Sequence, residues 1–236
     1  MSLELRNVTK RYPGGAVGAA GVSVTIDPGQ LVAFFGPSGS GKTSLLHIAG
    51  VLQPPDEGEV FLDGERVDTL EEDAAAVLRR TKLGFVFQTA GLLALLSAEE
   101  NVDVSLRLIG VGGREGREKV GAALAAVGME GRLGHRPDEL SGGEQQRVAI
   151  ARALVHGPGY ILADEPTGEL DTGTGAAVLD LLEGISRNGT AVLIATHDPA
   201  ALELADRAYF VRDGALHEPD RGELSMWLTE GTTFTP

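Results

Sequence analysis

The sequence predicts an α/β protein, a parallel sheet with helices packed on it. Short apolar runs alternate with helical stretches along most of the chain, and such alternation implies βαβ connections. Each polar motif falls just after an apolar run or at the start of a helix, which is where open parallel sheets bind ligands. In chain order, Leu3 to Val8 and Val22 to Ile26 alternate as half-buried strands do, and the second closes on the turn Asp27-Pro28-Gly29. Leu31 to Phe35 is continuously apolar, as expected of a strand buried on both faces. It runs through Gly36 into a helical pattern at Ser44 to Ala49, and Glu59 to Leu62 and Leu83 to Phe87 read as further strands. From about Glu99 to Val127 the pattern turns helical and charged, broken at Gly110 to Gly113, like an inserted helical subdomain. Strands at Tyr160 to Ala163, Ala191 to Ala195 and Ala208 to Val211 follow, separated by helices near Gly173–Arg187 and Pro199–Ala205.

Composition narrows the function. A chain of 236 residues, 42% hydrophobic, can bury a core without covalent staples. The absence of cysteine removes disulfides, thiolate metal sites and cysteine catalysis together. Five scattered histidines with no HExxH-like pair argue against zinc. No apolar run approaches the roughly 18–20 residues that span a bilayer, and the N-terminus MSLELRNVTKRY lacks the build of a secretory signal. The expected location is therefore cytoplasmic. A net charge of −14 opposes non-specific nucleic-acid binding, so any phosphate must be held by local geometry. The 33 glycines are aperiodic and punctuate apolar runs as loops do.

Such local geometry is present. Gly36-Pro37-Ser38-Gly39-Ser40-Gly41-Lys42-Thr43 matches G-x-x-x-x-G-K-[ST], with a strand before it and a helix after. Glycines let the backbone wrap closely and aim N–H groups at phosphate oxygens, and the helix adds its positive end. In that pattern Lys42 reaches the β- and γ-phosphates and the Thr43 hydroxyl coordinates Mg²⁺. A chance match in a chain this rich in glycine has a probability of about 1%. Guanine-reading Asn-Lys-x-Asp is missing.

Tyr160-Ile161-Leu162-Ala163-Asp164-Glu165 ends a buried strand in two carboxylates. Asp164 is placed to hold Mg²⁺ through its water shell, and Glu165 to polarise an attacking water as general base. Alone, two acids after a strand more often open a loop or cap a helix. The phosphate cradle reverses that weighting. Further along, Leu140-Ser141-Gly142-Gly143-Glu144-Gln145-Gln146-Arg147 opens a helix with a serine and two glycines, a second anion-seeking helix start. Ser141 with Glu144 three residues on is also an ordinary capping box, and both readings can hold. One nucleotide needs one cradle, so the second device suggests a phosphate shared between two chains.

LSGGEQQR resembles the signature of the ATP-binding cassette (ABC) ATPases, and its position between the cradle and the acidic pair matches that family. The resemblance covers Leu3 to about Glu218. It implies a P-loop NTPase fold: a mixed, mostly parallel core sheet, an N-terminal antiparallel β subdomain and an inserted helical subdomain. The whole chain, 1–236, would form one such ATPase domain. About 1–88 and 157–218 would form a RecA-like core with the β subdomain, about 89–156 the helical part, and 219–236 a tail. Residue by residue, it implies that Gly36 through Ser44 bind the triphosphate and that Tyr12 stacks on adenine. Gln88 would sense Mg²⁺ and the attacking water and couple to a membrane partner. Ser141, Gly142, Gly143 and Glu144 would complete the site of a second copy, Asp171 would cross the dimer interface, and His197 would contact the γ-phosphate.

Phe85-Val86-Phe87-Gln88, Gly91-Leu92-Leu93 and Glu100-Asn101-Val102 resemble the bacterial branch serving macrolide export, lipoprotein release and cell division. Ala94 stands where that branch has proline, Glu169 where it has asparagine, and Thr43-Ser44 inverts the usual order of hydroxyls. The implied function is an ATP-hydrolysing subunit that closes on ATP as a head-to-tail homodimer and powers a separate transmembrane permease. ATP and Mg²⁺ would be its cofactors, the inner membrane face its location, and no nucleic acid its partner. Thr89 through Val127, with the apolar Leu92, Leu93, Leu95 and Leu96, is the expected docking surface. The alternatives are a mechanical signalling ATPase without transport and a soluble ABC ATPase acting on ribosomes or DNA. The single cassette, the lack of heptads and the acidity oppose the latter.

Overall fold

The computed structural model describes residues 2–220 and 222–223. Strand β1 (Leu3–Arg11) pairs antiparallel with β2 (Val17–Ile26), placing Leu3 opposite Ile26 and Leu5 opposite Val24. Then β3 (Leu31–Phe35), buried at every residue, leads through a glycine-rich loop into α1 (Lys42–Ala49). Strands β4 (Glu57–Leu62) and β5 (Glu65–Arg66) extend the first pair into an antiparallel sheet of order β2-β1-β4-β5. Helix α2 (Glu72–Lys82) feeds β6 (Leu83–Val86), and three helices follow: α3 (Ala98–Leu108), α4 (Gly113–Ala126) and α5 (Gly142–Leu154). The chain continues as β7 (Tyr160–Asp164), α6 (Thr172–Arg187), β8 (Ala191–Thr196), α7 (Ala200–Leu204), β9 (Arg207–Arg212) and β10 (Ala215–His217). These strands form a second sheet of order β10-β9-β3-β8-β7-β6, parallel except for the β9–β10 hairpin.

Period-two alternation divides the core between the faces of this sheet. Val32, Phe34, Leu162 and Leu193 point to one side, where they meet Leu45, Leu46 and Ile48 of α1 and Leu3, Leu5 and Val60 of the antiparallel sheet. Ile161, Ala163, Val192 and Ile194 point to the other, against Val148 and Ile150 of α5 and Val178 and Leu182 of α6. The helices α3 and α4 bring Val102, Leu106 and Leu124 to this second cluster. Helix α1 is thus clamped between two sheets, so the loop before it has a rigid floor and a rigid wall. Three helix starts are capped from within: Ser97 with Glu100 on α3, Ser141 with Glu144 on α5, and Asp171 on α6.

The mixed sheet, the antiparallel β layer and the inserted helices are those the sequence led us to expect. Helix α2 and the short strands β5 and β10 add to that reading. Ala75 is the one buried residue of α2, so the helix has no apolar stripe to read.

Phe34 is fully buried and meets the Tyr209 ring edge-on at 6.1 Å. Phe34→Ala should cost about 3–5 kcal/mol of folding free energy, read as an earlier urea midpoint with unchanged slope. An unmoved midpoint would place the core elsewhere.

Candidate functional site

The parallel register aligns the carboxyl ends of β3, β7 and β8: Phe35 pairs with Thr196, and Asp164 with Ala195. Gly36, Glu165 and His197 therefore leave the sheet side by side. In the loop Gly36–Gly41 the backbone turns twice through positive φ, at Gly39 (+79°) and Gly41 (+111°). A Cβ on Gly41 would lie 2.5 Å from the Gly18 carbonyl oxygen, so only glycine fits there. Lys42, 4% exposed, turns its side chain back under the loop, and its Nζ donates to the carbonyls of Gly36 (2.7 Å) and Pro37 (3.1 Å). The Ser40 hydroxyl is buried with no hydrogen-bond partner among the described residues. An uncommitted donor beside a buried ammonium suits a polyanion.

Glu165 occupies a left-handed conformation (φ +46°), uncommon for a residue with a Cβ, and its N–H donates to Ala195 O at 2.7 Å. Its Oε1 lies 3.4 Å from Lys42 Nζ. Its Oε2 faces His197 Nδ1 at 2.8 Å and accepts from the His197 N–H and the Thr196 hydroxyl, both at 3.2 Å. The carboxylate is thus held from three sides. Asp164, one residue back, accepts from the Thr43 hydroxyl at 3.1 Å. Burial raises its pKa and the Glu165 charge adds to that, while the Thr43 hydrogen bond, His47 and Lys42 oppose it. Two convergent oxygens, one a carboxylate for which burial disfavours charge, fit a hard divalent cation completed by phosphate and water.

One cavity of about 350 Å³ gathers most of the expected nucleotide contacts: Tyr12, Ser38, Gly39, Gly41, Lys42, Thr43, Ser44, Gln88, Glu165 and His197. Ala16 of the β1–β2 turn and Val17 and Gly18 at the start of β2 complete its wall, which sequence reasoning missed because they carry no polar signal. The Tyr12 hydroxyl bonds Ser44 Oγ (3.0 Å) and Gln53 Nε2 (2.8 Å), and a Cβ on Gly18 would lie 2.6 Å from the tyrosine ring. Gln88 lies against the loop after the acidic pair, where a Cβ on Gly168 would meet its amide at 3.2 Å. Also unread in the sequence, the Thr167 hydroxyl donates to Asp198 at 2.9 Å and so ties the loop after Glu165 to the one carrying His197.

Ser141, Gly142, Gly143, Glu144 and Asp171 do not line this cavity. They form a cluster of their own. Glu144 accepts from both the N–H and the hydroxyl of Ser141 at 2.9 Å, and from Arg132 at 2.9 Å. The Ser141 N–H bond first, then Arg132, hold its carboxyl down at about 2. Gly143 packs on the start of α6 so closely that a Cβ would fall 2.1 Å from the Thr174 methyl, and Thr174 in turn donates to Asp171 through its hydroxyl (2.6 Å) and N–H (3.1 Å).

A glycine-rich loop between a buried strand and a helix, faced by two acids and a histidine, defines a phosphate-loop nucleoside triphosphatase. Residues 19–168 match the family described as "ABC transporter". The chain is 40% identical over 227 residues to the "Uncharacterized ABC transporter ATP-binding protein YknY" of Bacillus subtilis, covering 95% of this chain and 99% of that one. It is 43% identical over 218 residues to the "Macrolide export ATP-binding/permease protein MacB" of Rhodopseudomonas palustris, covering 91% of this chain and 33% of the other. It thus spans about a third of the length of such macrolide-export relatives. A dimeric post-hydrolysis structure of the ATP-binding cassette MJ0796, bound to ADP and Pi, superposes with a TM-score of 0.84 at 39% identity, covering 94% of this chain and 98% of that one. The chain belongs to the ABC transporter family, as an ATP-binding cassette ATPase.

The raised Asp164 pKa carries a stability consequence. A carboxyl that binds its proton more tightly when folded stabilises the fold at low pH, and that contribution is lost as pH rises through the folded pKa. At neutral pH the buried charge is therefore a net cost. Asp164→Asn keeps an acceptor for Thr43 and should melt a few degrees higher at pH 7, with the gain fading as pH falls through the carboxylate range. A lower melting temperature at pH 7 would contradict the burial argument.

Proposed function

We propose that two copies of this chain close head-to-tail on ATP and that the closing motion drives a separate membrane permease. The single observation that carries this is the separation of the two groups of nucleotide contacts. The cradle and the signature cluster lie apart on one chain, so a triphosphate seated in the cavity completes its contacts on a neighbour's Ser141, Gly142 and Gly143. The dimeric form of the 39%-identical cassette supports the same assembly.

In this reading Lys42 releases its hold on the loop carbonyls and binds the β- and γ-phosphates, with Ser40 and the loop N–H groups around them. Tyr12 carries the adenine. Thr43 and Asp164 would hold Mg²⁺, with Gln88 as a further polar contact to it. When bound, the ion neutralises phosphate charge and fixes the phosphate geometry. Glu165, oriented by Thr196 and His197, takes the proton of the attacking water, and His197 and the opposing Asp171 close the site. Catalysis is then positioning and charge stabilisation. The core (about 1–88 and 157–218) carries the cradle, and the helical part (about 89–156) carries the signature.

Among the described residues no helix is long and apolar enough to cross a membrane. In this reading the permease is a further partner, to which the cassette is peripheral. A groove of about 520 Å³, lined by Leu52, Phe85, Phe87, Leu108 and Arg152, opens beside Gln88 and is the proposed docking point. Leu93 and Leu95 nearby are exposed, Leu95 to 82%, whereas Leu92 packs onto the core. The transporter names carried by the similar chains favour this reading over a nucleic-acid or ribosome ATPase. Transport assays with the permease separate it from mechanical signalling.

Glu165→Gln should retain ATP binding, abolish turnover, and give a dimer by light scattering with ATP but not with ADP. Unchanged hydrolysis would remove Glu165 as the base. Tyr12→Ala should weaken ATP binding about tenfold through lost stacking. Unaltered affinity by equilibrium titration would take Tyr12 out of the site.

A further inference from the structure

The signature helix does more than present its N-terminus. Two of its side chains grip the main chain on either side of Gln88. Gln146, 2% exposed, donates from Nε2 to the Phe87 carbonyl at 2.9 Å. Six residues further along α5, Arg152 donates from Nη2 to Ala90 O and from Nη1 to Gly91 O, both at 2.8 Å. A planar guanidinium bonding consecutive carbonyls fixes orientation as well as distance, which a lysine ammonium does not. Beneath this grip α5 is pressed onto β6, the strand that delivers Gln88: a Cβ on Gly84 would lie 2.5 Å from the Ala153 carbonyl oxygen. Gln88 itself faces the nucleotide cavity.

We propose that Gln146 and Arg152 are positioning residues for Gln88, clamping its loop to the signature helix and so fixing where Gln88 enters the nucleotide cavity. Because Arg152 also lines the groove beside Phe85 and Phe87, a partner resting there bears on the same clamp. The inference rests on the proposed role of Gln88.

Two measurements on the full chain test it. In hydrogen exchange, Arg152→Ala and Gln146→Ala should speed exchange of the 87–91 amides while α1 and β3 stay as protected as in the parent. Arg152→Lys, one point donor in place of a fork, should fall between. In steady-state hydrolysis, Arg152→Ala should lower kcat about tenfold with KM for ATP little changed, and should lower it no further in a Gln88→Ala background. Unchanged 87–91 exchange overturns the clamp, as does an Arg152→Ala loss that adds in full to that of Gln88→Ala. If Gln88→Ala alone leaves kcat intact, the role of Gln88 falls, and loop exchange alone then decides the clamp. A variant that fails to fold is replaced by Arg152→Lys in both measurements.

Discussion

Parallel pairing of β3, β7 and β8 is the constraint on which the site depends. The three strands are almost wholly buried, and their register ends them level, with Phe35 beside Thr196 and Ala195 beside Asp164. A shift of one residue would exchange the faces of a strand and bury the wrong side chains. Core packing therefore sets the geometry of the candidate site directly. The phosphate loop lies more than a hundred residues before the acidic pair, and the histidine 32 residues after Glu165; they meet because the strands before them cannot slide.

At that edge, local fields outweigh the global one. A chain of net charge −14 places a buried ammonium, loop N–H groups and the positive end of α1 at a single point. The acids nearby are each engaged: Glu165 by Lys42 and His197, Asp164 by Thr43. The Lys42 ammonium offsets the Glu165 charge, and the Thr43 hydroxyl satisfies one oxygen of Asp164. The signature cluster is built differently. Its groups are satisfied within the chain by a capping box and by Thr174, so it is a preformed surface that needs no ligand to hold its shape.

How much of this was legible in the sequence follows from what each residue does. Leu31–Phe35 was readable to the residue because a strand buried on both faces is written as an unbroken apolar run. The cradle and acidic pair were readable because phosphate chemistry demands fixed spacings of rare residue types. Helix α2 left no apolar stripe, and the three-residue β10 is too short to show alternation. Thr196, Thr167, Gln146 and Arg152 also escaped sequence reasoning. Each bonds a residue at least thirty positions away, so its partner becomes visible only once the strands and helices are assembled. A second helix start after the cradle was legible in the sequence, and the structure places it in a cluster separate from the cradle cavity.

The central claim is that a complete ATP site takes its walls from two chains, and crosslinking addresses it most directly. The natural chain has no cysteine, so Ser38→Cys and Ser141→Cys introduced together in a Glu165→Gln background give two unique handles. A short bis-maleimide should then join two chains into a covalent dimer when ATP is present, and leave single chains with ADP. A product that stays one chain long with saturating ATP, or a dimer formed equally without nucleotide, would contradict it.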